Sequence, residues 1–378
     1  MTFLRLIVRL SVILTMLSLV GGVGAVVMGA ARHGALLTFT LYHHDNYQRN
    51  YTRGALILLD MNSGLSYGLT GQTYDDSNPA WSPDGLQLAF TSDRESRQAG
   101  RMRALETQVY VMNRYGGNIR PVQEQAAFGR TLAPFWSPDG TQLAFLTTIG
   151  GNGFDVEVGV TEVDTLSTPR LLGTHYVEFA PPVWSSDGTQ IAFITESTTR
   201  LGEVVVVEVA TGAVRRLLSY DDLPCPSLRN PAWSPDGARV AFICPFDEEA
   251  GVYVVNVDGT DLRRLADYTL SRAVNQQEAP VWSPDGTQIV FSSQSQTRRH
   301  DLYHIDMISG DVTNLTDHLT PQGTEVHAPL WIGDTLVFIV DTPTGSLRQS
   351  DLYALQAGKL RRLTTWDNVY LRDLTWRP

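Results

Sequence analysis

Residues 79–90 read Pro-Ala-Trp-Ser-Pro-Asp-Gly-Leu-Gln-Leu-Ala-Phe, and this stretch decides the fold because it returns. Near copies occupy Pro134–Phe145, Pro182–Phe193, Pro231–Phe242 and Pro280–Phe291. A further copy, Pro329–Phe338 (PLWIGDTLVF), is two residues shorter between Trp and Phe. That deletion keeps the alternation of a strand, so the facing of Phe338 is preserved. A last half-copy, Leu374-Thr375-Trp376, stands at the end of the chain. Trp81, Trp136, Trp184, Trp233, Trp282, Trp331 and Trp376 are thus spaced 55, 48, 49, 49, 49 and 45 residues apart.

Each unit reads as four strands. The Trp strand runs into a Ser-Pro-Asp-Gly turn, where Pro pre-sets φ and Gly accepts a left-handed backbone. Ser186 replaces the Pro in one copy. A strand such as Gln142–Phe145 follows, then a β-branched strand such as Glu203–Val209, then a turn and a short strand such as Ala213–Leu217. Four short antiparallel strands recurring at this period describe propeller blades. Three strands without a Trp strand precede Trp81, at Ala35–Tyr42, Ala55–Met61 and Leu65–Leu69, and one lone Trp strand ends the chain. The C-terminal strand is therefore expected to complete the N-terminal three and leave no sheet edge open. Residues 36–378 number 343, seven times 49, so the expectation is an all-β, seven-bladed propeller over residues 35–378. The repeated tryptophans are expected to pack between neighbouring blades.

The Pro-x-Trp-Ser-Pro-Asp-Gly units resemble the repeat of TolB-like propellers, which also occurs in the propeller domains of prolyl-oligopeptidase-type peptidases. The resemblance covers nearly all of the chain after Arg32 and implies a fold more than a function. Two features differ from the relatives it points to. TolB-type proteins carry an α/β domain before a six-bladed propeller, whereas here a strand begins within a few residues of the N-terminal apolar run. An oligopeptidase would need a hydrolase domain beyond the point where the ring closes.

Residues 1–9 contain Arg5 and Arg9, residues 10–31 carry no charge, and Arg32 follows. Twenty-two helical residues span roughly 33 Å, enough to cross a bilayer with the N-terminus cytoplasmic. The alternative is a cleaved leader with an apolar run Leu10–Val20 and a small-residue stretch Gly21–Ala25. Both readings place the propeller outside the cytoplasm, either tethered to the cell membrane or, after cleavage, secreted or periplasmic. The formal net charge of −11, with no basic stripe, argues against nucleic acid as a partner.

In a propeller, the turns joining first to second and third to fourth strands share one face, here called lower. The second-to-third loops and the links between blades form the upper face. The strand at Ala35 starts at the lower face, so an anchor leaves from there. Around the upper mouth, four residues before each Trp or beside those positions, stand Asp76, Arg229, Glu278, His327, Arg372 and Asp373. Such a set suits a carboxylate, a sugar or a charged peptide terminus. The loop 94–103 concentrates Arg94, Arg97, Arg101 and Arg103 in an acidic chain, a surface for an acidic partner. Cys225 and Cys244, the two cysteines, both fall at the upper end of one blade and are candidates for a disulfide.

Catalytic and metal signals are weaker. His300 and His304 share one side of a strand, with His318 and His327 nearby, but no metal-ligand spacing or acid partner accompanies them. His43, His44 and Asp45 begin the first upper loop. Gly64–Gly68 matches G-x-S-x-G in letters only, because a nucleophile elbow needs a strand-turn-helix setting. No motif implies a cofactor. The expected function is therefore non-catalytic: a monomeric propeller that binds a protein or cell-envelope component through its upper face. A glycan lyase or hydrolase in the same mouth, or a small-ligand sensor, are the alternatives.

Overall fold

The inner strands are buried along almost their whole length because each sheet is covered on both faces by other sheets, and the repeat dictates which side chains do the covering. The computed structural model describes residues 35–43, 53–95, 107–123, 130–149, 155–166, 168–172, 182–196, 202–218, 228–245, 250–267, 279–294, 300–317, 324–344, 347–367 and 369–377. Among these residues the protein is all β: five four-stranded antiparallel sheets and one of eight strands. Each four-stranded sheet is a meander named here by its tryptophan; the Trp81 sheet, for example, runs Ser77–Trp81, Gln87–Ser92, Gln108–Asn113 and Arg120–Pro121. The eight strands are the Trp282 and Trp331 meanders, joined by one parallel pair between His300 and Glu325. In the Trp376 sheet, the C-terminal strand Val369–Arg377 pairs antiparallel with Leu36–His43, which pairs with Ala55–Asp60 and through it with Ser66–Gly68. Residues 1–34, with the expected anchor or leader, lie outside the described residues, and no described helix is long and apolar enough to cross a membrane.

Consecutive sheets share their cores. Phe39, Phe90, Phe145, Phe193, Phe242, Phe291 and Phe338, one from the strand after each tryptophan turn or its counterpart, are fully buried. Trp136 packs with Ala89, Val109 and Val111 of the Trp81 sheet, and Trp233 with Ala192, Val204 and Val206 of the Trp184 sheet. Val337, Ile339 and Leu352 of the Trp331 sheet pack on Leu37, Phe39 and Leu59 of the Trp376 sheet, so the last meander meets the first.

The indoles also stitch backbone to backbone. Trp136 Nε1 donates to Ala80 O (2.9 Å), Trp184 to Phe135 O (3.2 Å), Trp233 to Val183 O (2.9 Å) and Trp282 to Ala232 O (3.2 Å). In every case the acceptor is the carbonyl just before the tryptophan of the preceding sheet. Trp81 donates instead to Thr38 Oγ1 (2.9 Å), and the buried Trp331 Nε1 has no partner.

The Ser-Pro-Asp-Gly turns follow from their letters. In the first, Gly85 N donates to Ser82 O (2.8 Å) across a turn with Pro83 at its second position, and Gly85 has φ +64°. Ser82 Oγ donates to Asp84 Oδ1 (2.6 Å) and accepts from Gln87 N (2.9 Å), while Asp84 Oδ1 accepts from Leu86 N (2.9 Å). The same pattern recurs at Ser137, Ser185, Ser234 and Ser283. The glycine has a second reason that spans sheets. A Cβ on Gly140 would meet Pro83 Cδ at 3.4 Å and one on Gly188 would meet Pro138 Cδ at 3.3 Å, so each turn leans on the previous one.

Two further regularities lie in the strands. Arg120 Nη1 donates to Val163 O (2.6 Å) and Arg361 Nη1 to Met61 O (3.1 Å), while Arg170 and Arg215 reach Val209 O and Val257 O. A fourth-strand arginine thus latches onto the end of the next sheet's third strand. The tryptophan strands also bulge, with Asn78, Ala133, Asn230, Ala328 and Asp373 at φ near +50°. Four of the five precede a proline, which reads as a left-handed residue inserted before the turn-bound strand.

Replacing the indole with phenylalanine removes the inter-sheet hydrogen bond at Trp233 but has no bond to remove at Trp331. Trp233→Phe is expected to lose about 1 kcal/mol more stability than Trp331→Phe. Urea unfolding of the two variants beside the parent checks this, and equal losses would contradict the stitch.

Candidate functional site

The polar residues at the upper ends of the strands fall into two groups. The first spans the Trp376, Trp81 and Trp136 sheets. The carboxyl of Asp373 accepts from Thr40 Oγ1 (2.9 Å) and from Asn78 N (3.1 Å), and burial pushes its pKa up although the residue as a whole is only half-buried. Asp373 therefore ties the C-terminal strand to the neighbouring Trp81 strand. Arg372 lies with its guanidinium 4.7 Å over the Tyr370 ring and donates to Tyr370 Oη (2.7 Å). Tyr42 lies close to Arg372, Asp373 and Asp75, and burial raises its phenol, with Asp373 adding to the shift. Arg130 is lowered by burial and opposed by Asp75.

Asp76 is 1 % exposed and forms an ion pair with Arg94 at 2.9 Å. Burial raises Asp76, and Arg94 works against that rise. The Arg94 guanidinium also lies 5.2, 5.0 and 4.8 Å from the ring centres of Tyr74, Phe90 and Tyr110. The first arginine of the 94–103 loop is thus folded inward as the counter-charge of a mouth residue. Arg97, Arg101 and Arg103 lie outside the described residues, as do Glu278, His318, His44, Asp45 and Cys225. Cys244 is buried and disulfide-bonded, and Cys225 is the one other cysteine of the chain. Arg229 is half-buried at the start of Arg229–Trp233.

The second group sits where the Trp282 and Trp331 meanders join. His327 Nε2 lies 3.2 Å from Asp341 Oδ2, and Ser350 Oγ donates to Asp341 Oδ1 at 2.6 Å. The serine hydroxyl therefore faces a carboxylate and not the imidazole, which is the wrong order for a general base to activate it. Arg348 grips Glu325 with two nitrogens. His300, 4 % exposed, has a buried Nε2 with no partner; burial, with His327 adding, lowers its pKa to about 4. His304 is only half-buried further down the strand. Among the described residues no group of three or more His, Cys, Asp or Glu is placed to hold a metal ion. Ser66 of the Gly64–Gly68 stretch sits exposed in the short outer strand Ser66–Gly68.

Two carboxylates escaped the sequence reading. Asp301 accepts from Thr316 Oγ1 (3.3 Å) and Asn314 Nδ2 (3.2 Å), and Asp351 from Thr364 Oγ1 (3.2 Å) and Arg362 Nη2 (2.6 Å). The repeated Asp-Leu-Tyr at 301–303 and 351–353, each followed by Leu-Thr at 315–316 and 363–364, was the available signal.

The chain belongs to the TolB beta propeller domain family, whose family model matches residues 157–366. Among curated proteins it resembles the uncharacterized peptidase YuxL of Bacillus subtilis (strain 168), 31 % identical over 133 residues. That match covers 35 % of this chain and 18 % of the peptidase, so the chain spans only about a fifth of that relative. Among solved structures it resembles TolB from Acinetobacter baumannii, at 16 % identity and TM-score 0.53, covering 75 % of this chain and 64 % of that one. It also resembles an oligogalacturonate lyase from Vibrio parahaemolyticus, at 17 % identity and TM-score 0.56, covering 88 % of each chain. At these identities the structural likenesses establish a propeller fold.

Removing Arg94 leaves the Asp76 carboxylate buried without its counter-charge. Arg94→Ala is expected to cost about 3 kcal/mol, and adding Asp76→Asn is expected to return much of it. A double-mutant cycle by chemical unfolding measures this, and additive losses would remove the pair from the argument. His300 gives a pH dependence of its own. Its folded pKa lies below the usual 6.5, so the unfolded chain binds the proton first. Stability from this group is present above about pH 6.5 and is lost as pH falls towards about 4. His300→Leu is expected to flatten the acid limb over that window, as read by thermal unfolding at stepped pH.

Proposed function

We propose that this chain is a seven-bladed propeller, closed by its C-terminal strand and tethered outside the cytoplasm by residues 10–31, that binds a protein or cell-envelope component without catalysing a reaction. The pairing of Val369–Arg377 with Leu36–His43, and the shared core of the Trp331 and Trp376 sheets, support the closed ring. The uncharged run 10–31 behind two arginines supports the tether.

One observation carries the binding reading. The polar residues at the upper strand ends differ from sheet to sheet, yet several are held in place by partners within the protein, as Asp76 is by Arg94 and Asp341 by Ser350. A fold that repeats its core and its turns but varies these positions has one face free for recognition. Arg229 and Arg372, with Tyr42 and Tyr370, suit carboxylate or sugar hydroxyl groups. His300 and His327 favour the second reading, a glycan-active site in the same mouth, and the likeness to an oligogalacturonate lyase is in keeping with it.

The test is isolation of the full-length protein from native membranes after mild cross-linking, beside a variant carrying Arg229→Glu and Glu278→Arg. The expected outcome is a stoichiometric partner with the parent that is lost with the variant. A partner retained by the variant would move recognition away from the mouth. A tightly held metal ion, lost on His300→Ala, with no partner captured, would replace the binding reading with the glycan-active one.

A further inference from the structure

The lower face is mostly acidic and capped. The turns of the Trp233 sheet carry Asp236, Asp258 and Asp261 and no large exposed apolar side chain among the described residues. One corner differs. Leu65 is 56 % exposed, Leu86 49 % and Tyr115 65 %. Arg114 N donates to Leu86 O (2.9 Å), and the Arg114 guanidinium lies 4.7 Å over the Tyr115 ring. Arg377 Nε donates to Gly85 O (2.9 Å), beside Leu86, and burial, with the nearby Arg114 adding, disfavours the charge on Arg377. No described carboxylate forms an ion pair with either arginine. The acids of this corner point at the backbone instead. Asp84 Oδ1 accepts from Leu86 N, and Asp60 Oδ1 accepts from Asn62 N and Ser63 N.

This corner is also where the chain enters its first sheet. Leu36 pairs with Asp60 on one side and Arg377 on the other, and Asp60 N donates to Leu65 O. Ala35 O accepts from Met61 N, as Thr141 O does from Val163 N and Thr189 O from Val209 N, so Ala35 stands at the turn end of the sheet. Residues 32–35 can span at most about 14 Å between the apolar run and that point. Leucine, tyrosine and arginine together are the side chains that settle at a bilayer boundary: aliphatic groups and the phenol ring below the headgroups, guanidinium groups on their phosphates.

We propose that the corner formed by Leu65, Leu86, Arg114, Tyr115 and Arg377 rests on the phospholipid surface, with the two guanidinium groups on lipid phosphates. The inference rests on the anchor reading of residues 10–31. It implies a propeller that is tilted onto one corner, with the recognition mouth held away from the bilayer.

The test uses the full-length protein in vesicles of phosphatidylcholine and phosphatidylglycerol containing a headgroup nitroxide lipid. A fluorophore is attached at Tyr115→Cys, at Asp258→Cys on the acidic part of the same face, or at Thr344→Cys on an exposed strand end. The expected result is loss of fluorescence at Tyr115→Cys only, and less loss when Arg114→Glu is added. Equal fluorescence at Tyr115→Cys and Asp258→Cys, with the protein still resisting alkaline carbonate extraction, would overturn the corner contact while the anchor stands. Release by carbonate, with a mature N-terminus beyond residue 25, would overturn the anchor reading and the contact with it.

Discussion

Everything in this protein depends on sheets that cannot bury their own faces. A four-stranded meander with a tryptophan on its first strand and a phenylalanine on its second is apolar on both sides, and only another copy of itself fits against it. The indole settles the spacing, because its ring fills the gap between sheets while its N–H reaches the carbonyl just before the previous tryptophan. The same interface is made again between the Trp331 and Trp376 sheets, where the partners are hundreds of residues apart in sequence. An array of this kind gains stability from each interface with its neighbours, and its ends are its weak points. The C-terminal strand pairs with the N-terminal one, and Asp373 on Asn78 and Arg361 on Met61 join the same sheet to its neighbours.

Much of this was legible in the letters. Proline and glycine in the Ser-Pro-Asp-Gly turn name a backbone geometry directly, and Gly85 has the positive φ expected. The strand alternation that follows each turn places Phe90 and Phe338 inside, including where two residues are missing. What could not be read is the second use of the same residues. The glycine also leaves room for the previous turn's proline, and the fourth-strand arginine also latches the next sheet. Both depend on a neighbour about fifty residues away, which no local pattern reports.

The strand-end polar residues were legible by position and not by their partners. Counting back from each tryptophan located Asp76, Arg372, Asp373 and His327 at the upper strand ends, because strand register carries over from sheet to sheet. Their partners did not follow from position. Asp76 is met by Arg94, a residue that the sequence suggests is a free loop cation, because three aromatic rings and a buried carboxylate outweigh the hydration of one guanidinium. Asp373 serves the join between sheets more than the mouth. The histidines of the Trp282 and Trp331 meanders came together through a parallel pair of residues 25 positions apart.

The amino-acid sequence by itself determined the repeating unit, its turns, its inward-facing aromatic residues and the family to which the chain belongs. These depend on local sterics and on a period that any segment displays alone. Only the tertiary structure decided which polar groups are tied to one another, which cation is buried, and where an apolar and basic corner lies beside the entry of the chain. Those outcomes come from contacts between units, and there the balance of desolvation against pairing is set by what the neighbouring sheet presents.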